Sequence, residues 1–283
     1  MRFETPAENT WCPGCGNFPL LVSARRAISE LIEEGKIEQQ NVVVISGIGC
    51  HGKITSYLEL NSVHTAHGRV LPMALGTKLG NPNLRVIGFG GDGDTYDEGM
   101  AHFIHAARNN ANFSFVVHDN KMFSLTTGQP TATTSRHKKT KSTPQGKPSS
   151  PINPLMLALA AGATFVGRGY SFHIDQSKEL LKQAIMHDGF GFVDMIQPCV
   201  VYNDTRGFMN EHAYWMDPEP TTFREAVEKA REWDYNLEDD AKVPLGLFYR
   251  TKEPTFEENW PSLQPWYKLK RDVTGKELFK EFK

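Results

Sequence analysis

The four cysteines of this 283-residue chain are the residues whose type and spacing point most directly to chemistry. Cys12 and Cys15 belong to one tight Cys-Pro-Gly-Cys turn, whereas Cys50 and Cys199 stand alone far along the chain, each after an apolar run. Four cysteine ligands suffice for one zinc ion or for one [4Fe–4S] cluster. The spacing by itself leaves both open, and a lone cysteine is often an ordinary buried side chain.

A second motif, between the third and fourth cysteines, suits a magnesium diphosphate. Gly91-Asp92-Gly93 is followed, after 26 residues, by Asn120. Mg²⁺ prefers oxygen ligands, which Asp92, Asn120 and the backbone carbonyl of Met122 would supply. Both polar side chains could instead form ordinary turns. The motif resembles the one shared by thiamine-diphosphate enzymes, and a cluster beside that cofactor would accept its electrons, which favours a cluster over zinc.

Residues 88–93 also satisfy the G-x-G-x-x-G pattern of dinucleotide-binding loops. That pattern brings bare backbone amides to a diphosphate, and Asp92 within it would repel the diphosphate unless a cation lay between them. An NAD-dependent dehydrogenase with a structural zinc therefore remains the alternative from another class. A non-catalytic, zinc-stabilised interaction protein is a further one.

Short β-branched runs alternate with amphipathic segments along most of the chain. We predict strands at residues 41–46, 84–89, 113–118, 165–168 and 192–197. We predict helices at residues 18–34, 70–79, 97–109, 154–161, 175–187 and 222–233. This alternation predicts an α/β fold with a doubly wound parallel sheet. Ligands of such sheets bind at the carboxyl ends of the strands, where Cys50, Asp92, Asn120 and Cys199 are expected to meet.

Three segments depart from the alternation. Residues 47–53 are too rich in glycine for regular structure, and residues 129–154, rich in Thr, Ser, Pro and Lys, are predicted to form a long functional loop or lid. Beyond about residue 205 the pattern weakens. We therefore expect a cofactor-binding domain over residues 1–205 and a C-terminal extension over residues 206–283 that makes contacts between subunits.

Charge and composition exclude several classes of partner. The formal net charge is −2, which gives no bulk attraction to nucleic acid or to a membrane surface. No apolar stretch approaches the roughly 20 residues that cross a bilayer, and the N-terminal residues lack the apolar segment of a signal peptide. The expected location is the cytoplasm, where four cysteines are more often metal ligands or catalytic thiols than disulfides.

Taken together, the motifs resemble the β subunit of 2-oxoacid:ferredoxin oxidoreductases. The resemblance covers roughly residues 10 to 205. It rests on six short segments, namely Cys-Pro-Gly-Cys-Gly at 12–16, Gly-Ile-Gly-Cys at 47–50, His-Gly-Arg at 67–69, Gly-Asp-Gly at 91–93, Asp-Asn at 119–120 and Gln-Pro-Cys at 197–199. It implies a sheet of the thiamine-diphosphate-binding fold. With no further cysteines to build an additional ferredoxin-type domain, the chain resembles the minimal, single-cluster form.

The resemblance also implies a set of ligands. Cys12, Cys15, Cys50 and Cys199 would hold one [4Fe–4S] cluster, and Asp92, Asn120 and Met122 would hold Mg²⁺ on thiamine diphosphate. The expected cofactor-binding residues are Gly49, Cys50, His51, His67, Gly91, Asp92, Gly93, Asp94, Asn120, Met122, Ser124, Leu125 and Thr126.

The implied reaction is the oxidative decarboxylation of a 2-oxoacid with coenzyme A, giving acyl-CoA and CO₂, with electrons passing through the cluster to ferredoxin. It is reversible toward CO₂ fixation. The single-cluster form favours 2-oxoglutarate, with pyruvate or another 2-oxoacid as the alternative. The carboxylate that activates thiamine is not identified in this chain, so an α subunit that carries the pyrimidine-binding domain is expected, in an α₂β₂ assembly.

Several basic side chains are candidates for binding or catalysis. Lys53 could meet a substrate carboxylate or coenzyme A, and His67 could approach the diphosphate; both are candidate catalytic residues. His51 could donate a hydrogen bond to a cluster sulfur and raise its potential. The basic run at residues 136–141 is either a solvated surface or an anion-binding patch for coenzyme A, ferredoxin or a dicarboxylate substrate.

Overall fold

A computed structural model of the chain describes residues 3–259, 264–265, 268–269 and 274–282. Its strands are β1 Val42–Ser46, β2 Asn61–His64, β3 Arg85–Gly91, β4 Phe113–Asp119, β5 Met122–Phe123, β6 Gln129–Pro130, β7 Phe165–Tyr170, β8 Phe190–Ile196, β9 Ala213–Trp215 and β10 Val243–Arg250. Its α-helices are α1 Asn17–Glu33, α2 Val70–Gly80, α3 Met100–Arg108, α4 Pro154–Ala160, α5 Ile174–Met186, α6 Arg206–His212, α7 Phe223–Ala230 and α8 Gly275–Leu278.

Eight of these strands form one sheet in the order β2-β1-β3-β4-β8-β7-β10-β9. Neighbouring strands are parallel except β10 and β7, which run antiparallel, while β5 and β6 form a separate antiparallel pair. The predicted α/β class with a doubly wound parallel sheet is confirmed, with the one difference that β10 runs antiparallel to β7. The register aligns Gly91 of β3 with His118 of β4, and Asp119 of β4 with Ile196 of β8. The segments that follow β3, β4 and β8 therefore emerge side by side.

Each face of the sheet has its own apolar core, which is why the strands read as continuous apolar runs. Val43 and Ile45 pack in one core with Phe103 of α3, whereas Val42 and Val44 pack in the other with residues of α1 and α5. Helices on both faces hold the sheet rigid. The loops at the carboxyl edge therefore begin from strands that are packed on both faces of the sheet.

Two local predictions at this edge need correction. The helix predicted at residues 97–109 begins only at Met100, because a π-helical turn at Gly93–Asp97 precedes it. Residues 47–53 are not wholly irregular, since a 3₁₀ helix occupies His51–Ser56. Strand β2 was not predicted; all four of its residues are exposed, so it lacks the apolar run that identified the others.

The polar segment at residues 129–154 is not simply a lid. Its first residues form β6, and Thr131, Thr133 and Thr134 are all buried. Threonine hydroxyls can enter the interior here because they donate to buried oxygens. Only the later part of the segment, including the exposed Arg136 and His137, behaves as a surface loop.

Residues beyond 205 contribute two strands to the main sheet. Strand β10 pairs with β7 on one side and with β9 on the other. Neither strand was predicted. The helix predicted at residues 222–233 is present as α7. Part of the proposed extension at residues 206–283 lies outside the described residues, and its role in contacts between subunits stays a prediction.

Candidate active site

A cavity of about 90 Å³ opens at the carboxyl edge of the sheet, beyond β1, β3 and β4. All thirteen predicted cofactor-binding residues line it. Two further lining residues, Ile48 and Phe123, were not predicted, because an apolar side chain beside a glycine motif carries no distinctive signal. The cavity residues are Ile48, Gly49, Cys50, His51, His67, Gly91, Asp92, Gly93, Asp94, Asn120, Met122, Phe123, Ser124, Leu125 and Thr126.

Asp92 follows β3 directly and is 2% exposed. Its Oδ2 accepts hydrogen bonds from the hydroxyls of Thr131 at 2.6 Å and Thr133 at 3.1 Å. Burial, reinforced by the neighbouring Asp119 carboxylate, raises the pKa of Asp92 well above its ordinary value, against the effect of these two donors. A buried carboxylate held this way gains most from a nearby cation. The two threonines were not anticipated from the sequence.

Asn120 follows β4 and forms an Asx turn. Its Oδ1 accepts from the backbone N–H of Met122 at 2.9 Å and from the Ser124 hydroxyl at 3.3 Å. Asn120 thus forms the turn that was the alternative to a role as a magnesium ligand, and the turn does not exclude that role. Both lone pairs of Oδ1 are used within the chain, so a cation would replace the longer bond from Ser124.

Asp94 organises two histidines of the cavity. Its Oδ1 accepts from His67 Nδ1 at 2.6 Å and from the backbone N–H of Gly68 at 2.8 Å, and its Oδ2 lies 3.5 Å from His51 Nε2. Burial alone would raise the pKa of Asp94, but the contacts with His51, Gly68 and His67 lower it. An added Cβ at Gly47 would lie 2.0 Å from Asp94 Oδ2, so only glycine allows this approach.

A second cavity, of about 220 Å³, adjoins the first, and all four cysteines line it. Cys15 and Cys199 are buried, Cys50 is half-buried and Cys12 is exposed. The two cavities share Cys50, Asn120, Ser124 and Leu125. The sequence prediction that four distant cysteines converge beside the Gly-Asp-Gly motif is thus matched by their placement.

The thiols surround a space larger than an ion. Among the described residues, no three His, Cys, Asp or Glu side chains form a group that could hold a single metal ion. Burial raises the pKa of Cys15, and it raises the pKa of Cys50 to about 11, helped by the neighbouring thiols. A nearby cationic centre would favour the ionised form of these two thiols.

The comparisons with known proteins agree with this geometry. A family model described as "Thiamine pyrophosphate enzyme, C-terminal TPP binding domain" matches residues 47–195, and a model of the C-terminal part of the pyruvate ferredoxin oxidoreductase beta subunit matches residues 199–265. The 2-oxoacid:ferredoxin oxidoreductase subunit beta of Sulfolobus sp. is 40% identical over 94% of this chain and 90% of that protein. The chain belongs to the β subunits of 2-oxoacid:ferredoxin oxidoreductases.

Two further relatives have names that include 2-oxoglutarate. The 2-oxoglutarate synthase subunit KorB of Archaeoglobus fulgidus is 41% identical over 67% of this chain and 69% of that one. A solved 2-oxoglutarate:ferredoxin oxidoreductase from Magnetococcus marinus, with 2-oxoglutarate, coenzyme A and succinyl-CoA bound, superposes with a TM-score of 0.85 at 34% identity. The superposition covers 92% of this chain and 88% of that one. This membership sets aside the NAD-dependent dehydrogenase and the non-catalytic zinc protein.

Two basic side chains named from the sequence, Lys53 and His51, line different cavities. Lys53 lines the cysteine cavity and not the first one, and its Nζ donates to the Thr10 hydroxyl at 2.9 Å. His51 is absent from the cysteine cavity; its ring packs against Gly91 and faces Asp94. No described helix of the β subunit is long and apolar enough to cross a bilayer.

A buried ionic network lies beneath the first cavity. Asp119 accepts from the Thr133 hydroxyl at 2.8 Å, the same hydroxyl that contacts Asp92. Lys121 Nζ donates to two backbone carbonyls and lies 4.5 Å from the ring centroid of Tyr235. The Tyr235 hydroxyl donates to Asp194. Burial lowers the pKa of Lys121 to about 8, against the raising effect of Asp119, and burial raises the pKa of Asp194 to about 7.

We expect Lys121→Met to lower the free energy of unfolding of the β subunit by about 3 kcal/mol, because it leaves the buried carbonyls of Thr133 and Tyr235 without their donor and removes a positive charge that interacts with Asp119. Urea unfolding would measure the change. The matched control is Lys139→Met on the exposed loop, with an expected effect within about 0.5 kcal/mol. Equal stability of the two variants would show that Lys121 does not stabilise the network.

Proposed function

We propose that this β subunit binds thiamine diphosphate with Mg²⁺ in the first cavity and one [4Fe–4S] cluster in the second. With an α subunit it converts 2-oxoglutarate and coenzyme A to succinyl-CoA and CO₂. Two electrons pass one at a time through the cluster to two ferredoxin molecules, and the thiol of coenzyme A releases a proton. The observation that carries the proposal is the wall shared by the two cavities, which would set a redox centre directly beside the decarboxylation site.

The roles of the lining residues follow from their contacts. Asp92, Asn120 and the carbonyl of Met122 would hold Mg²⁺, the hard oxygen ligands such an ion prefers. Gly91 and Gly93 allow His51 and Phe123 to pack against this loop, because an added Cβ would lie 2.6 Å from His51 Nδ1 and 2.2 Å from Phe123 Cε1. When bound, thiamine diphosphate supplies the nucleophilic carbon of decarboxylation and the cluster supplies one-electron acceptance.

Other residues would orient and shield the reactants. Asp94 fixes the orientation of His67, because an ionised carboxylate can only accept and so receives the Nδ1 proton. The other ring nitrogen of a neutral imidazole would then accept a hydrogen bond from a donor group of the bound reactants. The apolar Ile48 and Leu125 line the first cavity and would exclude water from the reacting carbon. Cys12, Cys15, Cys50 and Cys199 would be the cluster ligands.

The cavity geometry supports a requirement for an α subunit. At about 90 Å³, the first cavity is smaller than the roughly 300 Å³ or more of typical cofactor pockets. Around the two cavities Ile48, Leu125 and Val201 are 36%, 49% and 56% exposed, an apolar rim that a partner would cover. An α₂β₂ assembly, a cytoplasmic location and reversibility toward CO₂ fixation belong to the same proposal.

The choice of 2-oxoglutarate is supported by the names of the relatives and by the ligands of the Magnetococcus marinus structure. Pyruvate is the second candidate, because the family model over residues 199–265 carries its name. Lys53 remains a candidate for binding coenzyme A or a substrate carboxylate. The basic run at residues 136–141 remains a candidate anion-binding patch.

The deciding experiment is iron, acid-labile sulfide and zinc analysis of the anaerobically purified α/β protein, with its visible spectrum. We expect about four irons and four sulfides per β subunit. The brown absorption should bleach on addition of 2-oxoglutarate, coenzyme A and Mg–thiamine diphosphate, and more slowly with pyruvate. One zinc and no colour would refute the proposal. Faster bleaching with pyruvate than with 2-oxoglutarate would make pyruvate the preferred substrate.

A further inference from the structure

The cysteine cavity contains two buried carboxamides that no proposed role yet uses. Asn17 and Gln197 both line it, at 0% and 1% exposure. They come from distant parts of the sequence, at the start of α1 and just after β8. Burying two carboxamides is costly unless their N–H groups find acceptors. Their directions therefore indicate what the cavity contains.

Gln197 is aimed at one thiol. Its Nε2 donates to Cys15 Sγ at 3.5 Å and to the Pro198 carbonyl at 2.8 Å. An added Cβ at Gly16 would lie 3.0 Å from this nitrogen, so the glycine after the Cys-Pro-Gly-Cys turn permits the close approach. The backbone of the turn thus holds Cys15 against the amide.

Asn17 is oriented by a buried histidine. Its Oδ1 lies 2.7 Å from His118 Nδ1, and because a carbonyl oxygen can only accept, the histidine donates. The amide nitrogen is thereby turned away from His118. Within the described part of the chain this Nδ2 completes no hydrogen bond, although it is buried and lines the cavity.

We propose, resting on the cluster assignment above, that Asn17 and Gln197 are positioning residues that direct N–H donors at the Cys15 side of the cluster and raise its reduction potential. An added electron increases the negative charge on the cluster sulfurs and their cysteine ligands. Hydrogen bonds to those sulfurs stabilise the reduced state more than the oxidised one. The expectation that His51 donates to a cluster sulfur stays a prediction beside this one.

The test compares Gln197→Met and Asn17→Leu with the wild-type α/β protein. Both replacements keep the approximate shape and remove the N–H donors. The control is Gln183→Met on the exposed face of α5. Midpoint potentials would be measured by dye-mediated titration followed by visible absorption and electron paramagnetic resonance, alongside iron and sulfide content.

A third variant carries both substitutions. At a fixed potential near the wild-type midpoint, its ratio of reduced to oxidised cluster should be about tenfold lower than that of the wild type. This ratio corresponds to 59 mV for a one-electron couple. In each single variant this ratio should fall by a smaller factor, with the iron content unchanged. In the control variant it should equal the wild-type ratio. Unchanged potentials in variants that retain the cluster would overturn the inference, as would loss of the cluster from both single variants, which would make the amides structural. A wild-type protein without any cluster would instead refute the proposed function.

Discussion

Replacing Asp92 with alanine should abolish magnesium-dependent binding of thiamine diphosphate to the α/β protein. Loss of an outer-shell partner alone typically costs roughly 10–100-fold in metal affinity, so loss of the carboxylate itself should cost at least about 100-fold. Folding should be preserved. Burial and Asp119 raise the pKa of Asp92, which means that the empty site gains little from this charge. Isothermal titration calorimetry with Mg²⁺ and the cofactor, beside a thermal melt without them, would measure both effects.

The matched control is Asp188→Ala. Asp188 is exposed and precedes β8, at the opposite edge of the sheet from the cavity. It should leave cofactor affinity unchanged. Asp92→Asn tests the charge separately, since an amide oxygen keeps an acceptor for Thr131 and Thr133 while removing the anion. Wild-type affinity in the alanine variant would mean that Asp92 is not a magnesium ligand.

Cys199→Ser should yield protein that is nearly colourless after anaerobic purification. Cys199 is buried at 8% exposure and lines the cavity with the other three cysteines. A serine hydroxyl is a far weaker ligand for iron than a thiolate, so a cluster with one such corner should be lost. We expect iron and sulfide contents below about one tenth of the wild-type values, where the wild type holds about four of each.

Val201→Ser, two residues further on, is the control for this change. Val201 is 56% exposed at the rim of the same cavity, so the substitution alters polarity there without removing a thiol. Its iron content should equal that of the wild type. A Cys199→Ser protein with full iron and sulfide would exclude Cys199 as a ligand, and another residue would have to be the fourth ligand of the cluster.

Much of the candidate site could be predicted from the sequence because its residues follow strands that are easy to recognise. Asp92 and Asn120 each come after a run of β-branched or aromatic residues, and parallel strands deliver their ends to one edge. The four cysteines were singled out by their number and type, and strand ends placed Cys50 and Cys199 at the same edge of the sheet. That all four share one site was implied by the resemblance to the oxidoreductase β subunits.

The residues that support this site could not be predicted, because their significance depends on what lies across the fold from them. Thr131 and Thr133 belong to a segment whose composition is that of a surface loop, yet their hydroxyls reach Asp92 in the interior. Asn17 carries no signal in the sequence, Gln197 was noted only as part of the Gln-Pro-Cys segment, and the two meet at the cysteine cavity. Strand β10 was missed because its antiparallel place in the sheet breaks the alternation on which the prediction relied.

The wall between the two cavities restricts how this protein can evolve. Cys50, Asn120, Ser124 and Leu125 each face both spaces, so a substitution at any of them alters two sites in a single mutational step. Neither site can be exchanged as a module with that of another protein, because each would bring four lining residues of the other with it. Diversification is therefore expected to concentrate on residues that line one cavity only, such as Val201 at its exposed rim.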